Sequence, residues 1–169
     1  MAKTTMVSAE SCLVGKIVSG GQTGADRAAL DWALLRGVEL GGWCPKGRLA
    51  ADGPLRAHYL LRETESAGYR QRTKLNVRDS DAMLIFNIGE LDGGTLQTVR
   101  FAQTLSKPHL VIPLDEMSQL KAVHRLRGWL IEGAFNALNV AGPREEKRPG
   151  IYALVAAVMD ATLRCKLEP

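Results

Sequence analysis

The chain has 169 residues, of which 46% are hydrophobic and 24% are charged, and this composition is typical of a globular protein rather than a disordered one. The net charge of +4 favours a small anionic ligand, but the arginines are scattered and only 5% of residues are aromatic, so we expect no nucleic-acid partner. We also expect no membrane association, because no apolar run reaches the ~18–20 residues that span a bilayer.

The length suits one compact domain with its own core. We predict a flexible leader over residues 1–15, without a signal peptide, and a single Rossmann-like ligand-binding domain over residues 16–165. The cysteines Cys12, Cys44 and Cys165 are odd in number and widely spaced. Their pattern predicts neither a disulfide framework nor a zinc site and fits a reducing cytoplasm, with Cys44 as a small buried hydrophobic residue.

Strands and helices alternate along the chain. The first strand covers residues 16–19, a helix follows at 25–36, and Gly37 ends that helix in the usual position for a C-terminal glycine. A second strand is predicted over 40–44. Residues 46–69 are irregular and polar, and we interpret them as a long loop with a short helix, of a length that is often functional.

The remaining elements continue the alternation, with a central buried strand at residues 82–87. They are a helix at 73–80, the strand at 82–87, a helix at 95–105, a strand at 109–113, a helix at 117–131, a strand at 137–141 and a helix at 149–163. This order predicts an α/β fold, a Rossmann-like three-layer sandwich with a mainly parallel central sheet. Ligands of such sheets bind beyond the carboxyl ends of the strands.

A glycine-rich turn follows the first predicted strand. Glycines let the backbone approach a ligand, and free amides at the start of the next helix favour an anion. The spacing fits neither the dinucleotide fingerprint nor the P-loop, and the alternative is a tight turn without a ligand. The residues that we predict to bind phosphate here are Gly20, Gly21, Gln22, Thr23, Gly24 and Asp26.

A second glycine turn, Asp92-Gly93-Gly94-Thr95, follows the central strand and opens another helix. Its glycine pair and hydroxyl predict a cradle for an anionic group. The two turns strengthen each other as candidates, because the carboxyl ends of parallel strands face the same crevice.

Two charged segments supply further candidates for ligand binding. On the helix before the central strand these are Arg72, which is able to fork onto a phosphate, with Thr73, Asn76 and Asp79. Arg144 follows the last strand and is a second candidate clamp. For both segments the alternative is a solvated surface. Lid residues on the long loop are similar candidates: Lys46, Arg48 and Asp52.

No nucleophile, base and orienting group stand together in the sequence, so we predict no catalytic residue. The histidines His58, His109 and His124 are far apart and predict no metal site. The sequence therefore favours binding over catalysis.

Together these segments resemble the molybdenum cofactor carrier protein family. That family belongs to the Rossmann-like group that includes the lysine-decarboxylase-like cytokinin phosphoribohydrolases. The resemblance extends from about residue 16 to residue 163. It rests on SGGQTGADRA at 19–28, QRT at 71–73, NVRDSD at 76–81, GGT at 93–95, LNVAGPRE at 138–145 and PGIY at 149–152.

The resemblance implies a cytoplasmic homo-oligomer, a dimer or tetramer, that binds and protects the molybdenum cofactor, a pterin with a phosphate and a metal dithiolene. The phosphoribohydrolases carry P-G-G-x-G-T followed by a catalytic glutamate, whereas residues 92–98 here read DGGTLQT and lack the glutamate. Two alternatives remain. One is a nucleotide-processing enzyme of the phosphoribohydrolase type with Asp26, Asp79 or Asp92 as acid or base, and the other is a nucleotide-sensing module.

Overall fold

The structure is a computed structural model that describes residues 12–163, so most of the predicted leader lies outside the described residues. Nine strands and five helices form in this range. The strands are β1 (Lys16–Val18), β2 (Glu39–Gly41), β3 (Trp43–Cys44), β4 (Leu49–Ala50), β5 (Gly53–Pro54), β6 (Arg62–Glu63), β7 (Ala82–Asn87), β8 (His109–Pro113) and β9 (Ala137–Ala141). The helices are α1 (Ala25–Arg36), α2 (Tyr69–Arg78), α3 (Gly93–Thr104), α4 (Gln119–Gly133) and α5 (Ile151–Leu163).

A five-stranded sheet in the order β2-β1-β9-β7-β8 forms the centre, and every pair of neighbours in it is parallel. Helices α1, α4 and α5 pack together on one face, and α2 and α3 pack together on the other. The predicted α/β sandwich is therefore confirmed, with α1, β7, β8 and β9 at their predicted positions.

Strand β7 shows how the sequence builds these layers. All six of its residues are buried, because helices cover both faces of the sheet. Leu84 and Phe86 contribute to the larger core beneath α1, α4 and α5, while Met83 and Ile85 pack with the residues of α2 and α3. The alternation of side chains along a strand thus connects the two halves of the core.

The segment between β3 and α2 differs from the prediction. Instead of a loop with a short helix it contains the antiparallel hairpin β4-β5, and β6, which pairs in parallel with β3. The predicted strand at 40–44 is divided because Gly42 lies at φ +129, and a Cβ there would meet the Ser19 carbonyl oxygen at 2.4 Å. Helix α2 begins at Tyr69, before the predicted start.

The cysteines agree with the sequence only in part. Cys44 is free and fully buried, as predicted. Cys12 is disulfide-bonded, which the cysteine pattern did not predict. Among the described residues, no helix has the length and apolar character needed to cross a membrane.

Candidate functional site

A cleft of about 240 Å³ lies beyond the carboxyl ends of β1, β9 and β7. The chain leaves β1 and β7 towards opposite edges of the sheet, so the cleft sits at the topological switch point where such sheets bind ligands. Its walls come from both glycine turns, from α2 and from the turn after β9. They are formed by Gln22, Asp26, Tyr69, Arg72, Thr73, Asp92, Gly93, Gly94, Thr95, Thr98, Ala141, Gly142, Pro143, Arg144 and Lys147.

The first glycine turn uses most of its amides within the protein. The amide of Gln22 points to the Asp26 carboxylate at 3.4 Å, and the amide of Thr23 donates to the Gln22 side-chain oxygen at 2.9 Å. The amide of Ala25 donates to the Pro143 carbonyl at 3.3 Å. The start of α1 is therefore largely satisfied before any ligand arrives, contrary to our expectation of free amides there.

A buried ion pair forms one wall of the cleft. Arg72 Nη1 lies 2.9 Å from Asp26 Oδ2, and the side chains are 13% and 5% exposed. Burial raises the pKa of Asp26 above the ordinary aspartate range, and the Arg72 guanidinium opposes this rise. The guanidinium lies against Gly20, where a Cβ would come within 1.4 Å of Nη1, so only glycine leaves room for the pair. One N–H group of Arg72 thus binds a carboxylate of the protein, while its buried Nε has no hydrogen-bond partner among the described residues.

The second glycine turn has the opposite character. It opens α3, with Asp92 at the N-cap position and Gly93 at φ +49, and the Asp92 side chain makes no capping hydrogen bond. Among the described residues, no protein group accepts a hydrogen bond from the amides of Gly93, Gly94 or Thr95. Three free amides and the positive end of the helix dipole therefore face the cleft.

Basic side chains surround this second turn. Lys147 Nζ lies 2.6 Å from Asp92 Oδ1, and Arg148 reaches the other carboxylate oxygen at 3.6 Å. The hydrogen bond from Lys147 holds the pKa of Asp92 below its usual range. Arg144, in the same loop after β9, also lines the cleft. The charges that surround the α3 amides are suited to an anion.

The start of α5 carries its own acidic cap. The Glu145 carboxylate accepts hydrogen bonds from the amides of Gly150 at 2.6 Å and Tyr152 at 3.0 Å. The starts of α1 and α5 are thus largely satisfied by groups of the protein, and the start of α3 is not.

The hairpin β4-β5 is fastened to the first glycine turn. Arg27 donates both to Gly21 O and to the Asp52 carboxylate, the latter at 2.9 and 3.0 Å, and the Gln22 side-chain oxygen accepts from the Ala51 amide at 2.7 Å. The guanidinium of Arg48 donates to four backbone carbonyls of residues 55–61 and organises the segment internally. Arg48 and Asp52 therefore have structural contacts, and none of the predicted lid residues lines the cleft.

The predicted site residues fall into three groups. Those that line the cleft are Gln22, Asp26, Arg72, Thr73, Asp92, Gly93, Gly94, Thr95 and Arg144. Those in the first turn that lie behind its wall are Gly20, Gly21, Thr23 and Gly24. Asn76 and Asp79 face elsewhere, since both bind Trp43: the Asn76 side chain pairs with its backbone at 2.7 and 3.0 Å, and Asp79 accepts from its indole at 2.8 Å.

Several lining residues were not predicted, among them Tyr69, Thr98 and Lys147. Lys147 lies three residues after Arg144, and its position in the same loop was the available signal. Thr98 carried no sequence signal for a site. Among residues 12–163, no group of three or more His, Cys, Asp or Glu side chains is arranged to hold a metal ion.

Comparison with known proteins identifies the family. Residues 17–163 match the circularly permutated YpsA SLOG family. The chain belongs to this family. It is also similar to a crystal structure of a protein named "Putative molybdenum carrier protein" from Syntrophus aciditrophicus SB, with 43% sequence identity, a TM-score of 0.88, and coverage of 90% of this chain and 96% of that one. No curated protein matches the sequence.

The match to the SLOG family supports a ligand-binding role for the chain. The similar structure agrees with the family resemblance that the sequence motifs carry, and it extends over nearly the whole chain.

Proposed function

We propose that this protein is a carrier that binds the molybdenum cofactor, or a similar phosphate-bearing small molecule, in the cleft at the switch point. The observation that carries the proposal is the start of α3, where the amides of Gly93, Gly94 and Thr95 have no acceptor among the described residues. A phosphate is the natural partner of such a helix terminus. The molybdenum cofactor enters through the name of the similar structure.

The residues fit the phosphate end of that cofactor. The α3 amides would hold the phosphate oxygens, and Lys147 and Arg144, from the loop after β9, would neutralise the charge. Gly94 is exposed, and a Cβ there would meet no atom within 4 Å, so the turn leaves space for a ligand. When bound, the cofactor supplies the pterin and the metal dithiolene, and the protein supplies orientation and protection from solvent.

Asp92 then acts as a replaceable partner of Lys147. In the structure the pair at 2.6 Å joins the turn after β7 to the loop after β9. A bound phosphate attracts the same ammonium group. The carboxylate and the phosphate therefore compete for Lys147, and this competition moderates the affinity, which suits a carrier that must release its ligand.

The test is to incubate the purified protein with molybdenum cofactor under anaerobic conditions, remove free ligand by desalting, and measure retained molybdenum and pterin. We expect retention and slower oxidation of the bound pterin. Retention no greater than that of an unrelated protein of similar charge would refute the proposal. A native mass spectrum of the same sample gives the ligand stoichiometry and the subunit number, and we expect a dimer or tetramer. We expect the protein to be located in the cytoplasm.

A second candidate is hydrolysis of the glycosidic bond of a nucleoside monophosphate, favoured by one observation: Asp26 lines the cleft as a buried carboxyl group with a raised pKa. Such a group is a candidate general acid. The test is release of free base from nucleoside monophosphates. Release that disappears in Asp26→Asn, while the protein stays folded, would support the enzyme. If the wild type releases no free base, this enzyme activity is excluded and the carrier proposal stands.

A further inference from the structure

A second groove begins where the main cleft ends. It has a volume of about 350 Å³ and is lined by Arg70, Gly93, Gln97, Arg100, Phe101 and Thr104. Gly93 also lines the main cleft, so the two spaces meet at the first residue of α3. The groove therefore continues the proposed ligand site along the outside of α3, beside the start of α2.

The spacing of its residues explains the shape of the groove. Gly93, Gln97, Arg100 and Thr104 follow each other at intervals of three or four residues, which places them along one face of α3. Helical side chains lean towards the N-terminus, so the Arg100 side chain leaves its Cα in the direction of Gly93. At 1.5 Å per residue, the Cα of Arg100 lies about 10 Å along the axis from that of Gly93.

Two arginines without acidic partners give the groove its charge. None of the ion pairs between described residues involves Arg70 or Arg100, and no carboxylate lines the groove. The Arg70 guanidinium lies over the Phe101 ring, 5.1 Å from its centroid. Stacking on a ring occupies the face of a guanidinium and leaves the N–H groups at its edge available for an anion.

Arg72 differs from these two arginines because it has an acidic partner. Arg72 Nη1 is 2.9 Å from Asp26, so the charge of Arg72 is offset by a carboxylate of the protein. Arg70, two residues earlier on α2, and Arg100 on α3 have no such partner among the described residues. Uncompensated arginines at the end of an anion cleft are the arrangement that recognises a second phosphate.

We propose that this groove is a second anion subsite, so that the full ligand carries a further phosphate beyond the one held by the α3 amides, as in a diphosphate- or triphosphate-bearing ester. This inference rests on the proposed function, because it takes the first phosphate to lie at Gly93 to Thr95. The inference also narrows the class of ligand. The ligand would carry a chain of two or three phosphates that runs from the start of α3 to Arg100.

The experiment compares inorganic phosphate, pyrophosphate and tripolyphosphate by isothermal titration calorimetry on the full chain. We expect tripolyphosphate to bind the wild type at least about tenfold more tightly than phosphate, since each added charge-assisted contact contributes on that scale. In the double variant Arg70→Gln/Arg100→Gln, tripolyphosphate should bind at most about threefold more tightly than phosphate. The affinity for phosphate should stay within about twofold of the wild type.

The matched control is Lys121→Gln/Arg125→Gln, which removes two exposed positive charges from α4 on the opposite face of the sheet. The control should keep the tenfold gain. A gain that persists in the groove variant, or disappears equally in the control, would overturn the second subsite. Amide NMR shifts separate the two proposals: phosphate should move Gly93 to Thr95, and tripolyphosphate should also move Gln97 and Arg100.

The failures are distinguishable. If phosphate binds at the α3 turn but tripolyphosphate binds no more tightly, only the second subsite is wrong. If neither anion moves the α3 amides, the phosphate site of the proposed function is wrong as well.

Discussion

Substitution of Gly94 by aspartate should abolish anion binding without harming the fold. Gly94 is the second residue of α3, and a Cβ there meets nothing within 4 Å. A carboxylate in the first turn of a helix stabilises the helix by about 0.3–1 kcal/mol, and replacement of glycine removes its entropic cost. We therefore expect the melting temperature of Gly94→Asp to stay equal or rise slightly.

The same carboxylate would occupy the space of the ligand phosphate. Two unit charges 4 Å apart repel by about 1 kcal/mol in bulk water and about 4 kcal/mol at an effective dielectric constant of 20. In this half-open cleft we expect a loss of about 2–4 kcal/mol, or roughly 30- to 1000-fold in affinity.

The assay is retention of molybdenum cofactor after desalting, with a parallel titration of inorganic phosphate and a thermal melt of each sample. Gly94→Asn is the matched control, because it has nearly the same shape and no charge, and it should bind within a few-fold of the wild type. If Gly94→Asp is folded and retains cofactor as the wild type does, the phosphate is not held by the α3 turn.

Three further changes test other parts of the site. Asp92→Asn should strengthen phosphate binding by about threefold to tenfold, because it removes a competing carboxylate; weaker binding by calorimetry would instead make this carboxylate a ligand contact. Gly20→Ala should lower the free energy of unfolding by up to about 3 kcal/mol in urea melts, because its Cβ displaces Arg72 from a buried carboxylate; an unchanged midpoint would show that the pair adjusts freely. Burial and a hydrogen bond to Asp31 raise the pKa of Tyr59 from 10.0 to about 12, so its contribution to stability is complete below pH 10 and is lost as the pH rises through 12. Tyr59→Phe should therefore be less stable at pH 7, with a difference from the wild type that narrows over that range; a difference that stays constant from pH 9 to 12 would contradict this.

The sheet could be predicted from the sequence because its signals are local. The apolar run at β7 and the glycines after β1 and β7 each act within a few residues, and strand alternation fixed the parallel order of connections. The meeting of both glycine turns at one cleft followed from that order.

The segment from β4 to β6 could not be predicted, because side-chain contacts between distant residues form it. Its strands have two residues each, too few for a periodic pattern. Arg48, at a positive φ of 56, fixes the segment with bonds to carbonyls 7 to 13 residues away. The position of Asn76 could not be predicted for a related reason. It lies on the same helix as Thr73, but its side-chain amide binds the Trp43 backbone and does not line the cleft.

The two glycine turns appear equivalent in the sequence and differ in their electrostatics. In the first turn a carboxylate folds back onto the helix start, since Asp26 accepts from Arg72 and lies 3.4 Å from the Gln22 amide. In the second turn the nearby carboxylate, Asp92, pairs with Lys147 and accepts no hydrogen bond from the amides of the helix start. The first turn therefore forms a wall of the cleft with its own ion pair, and the second presents free amides to the cleft. Glycine content alone does not distinguish the two turns. What distinguishes them is the partner of the adjacent carboxylate.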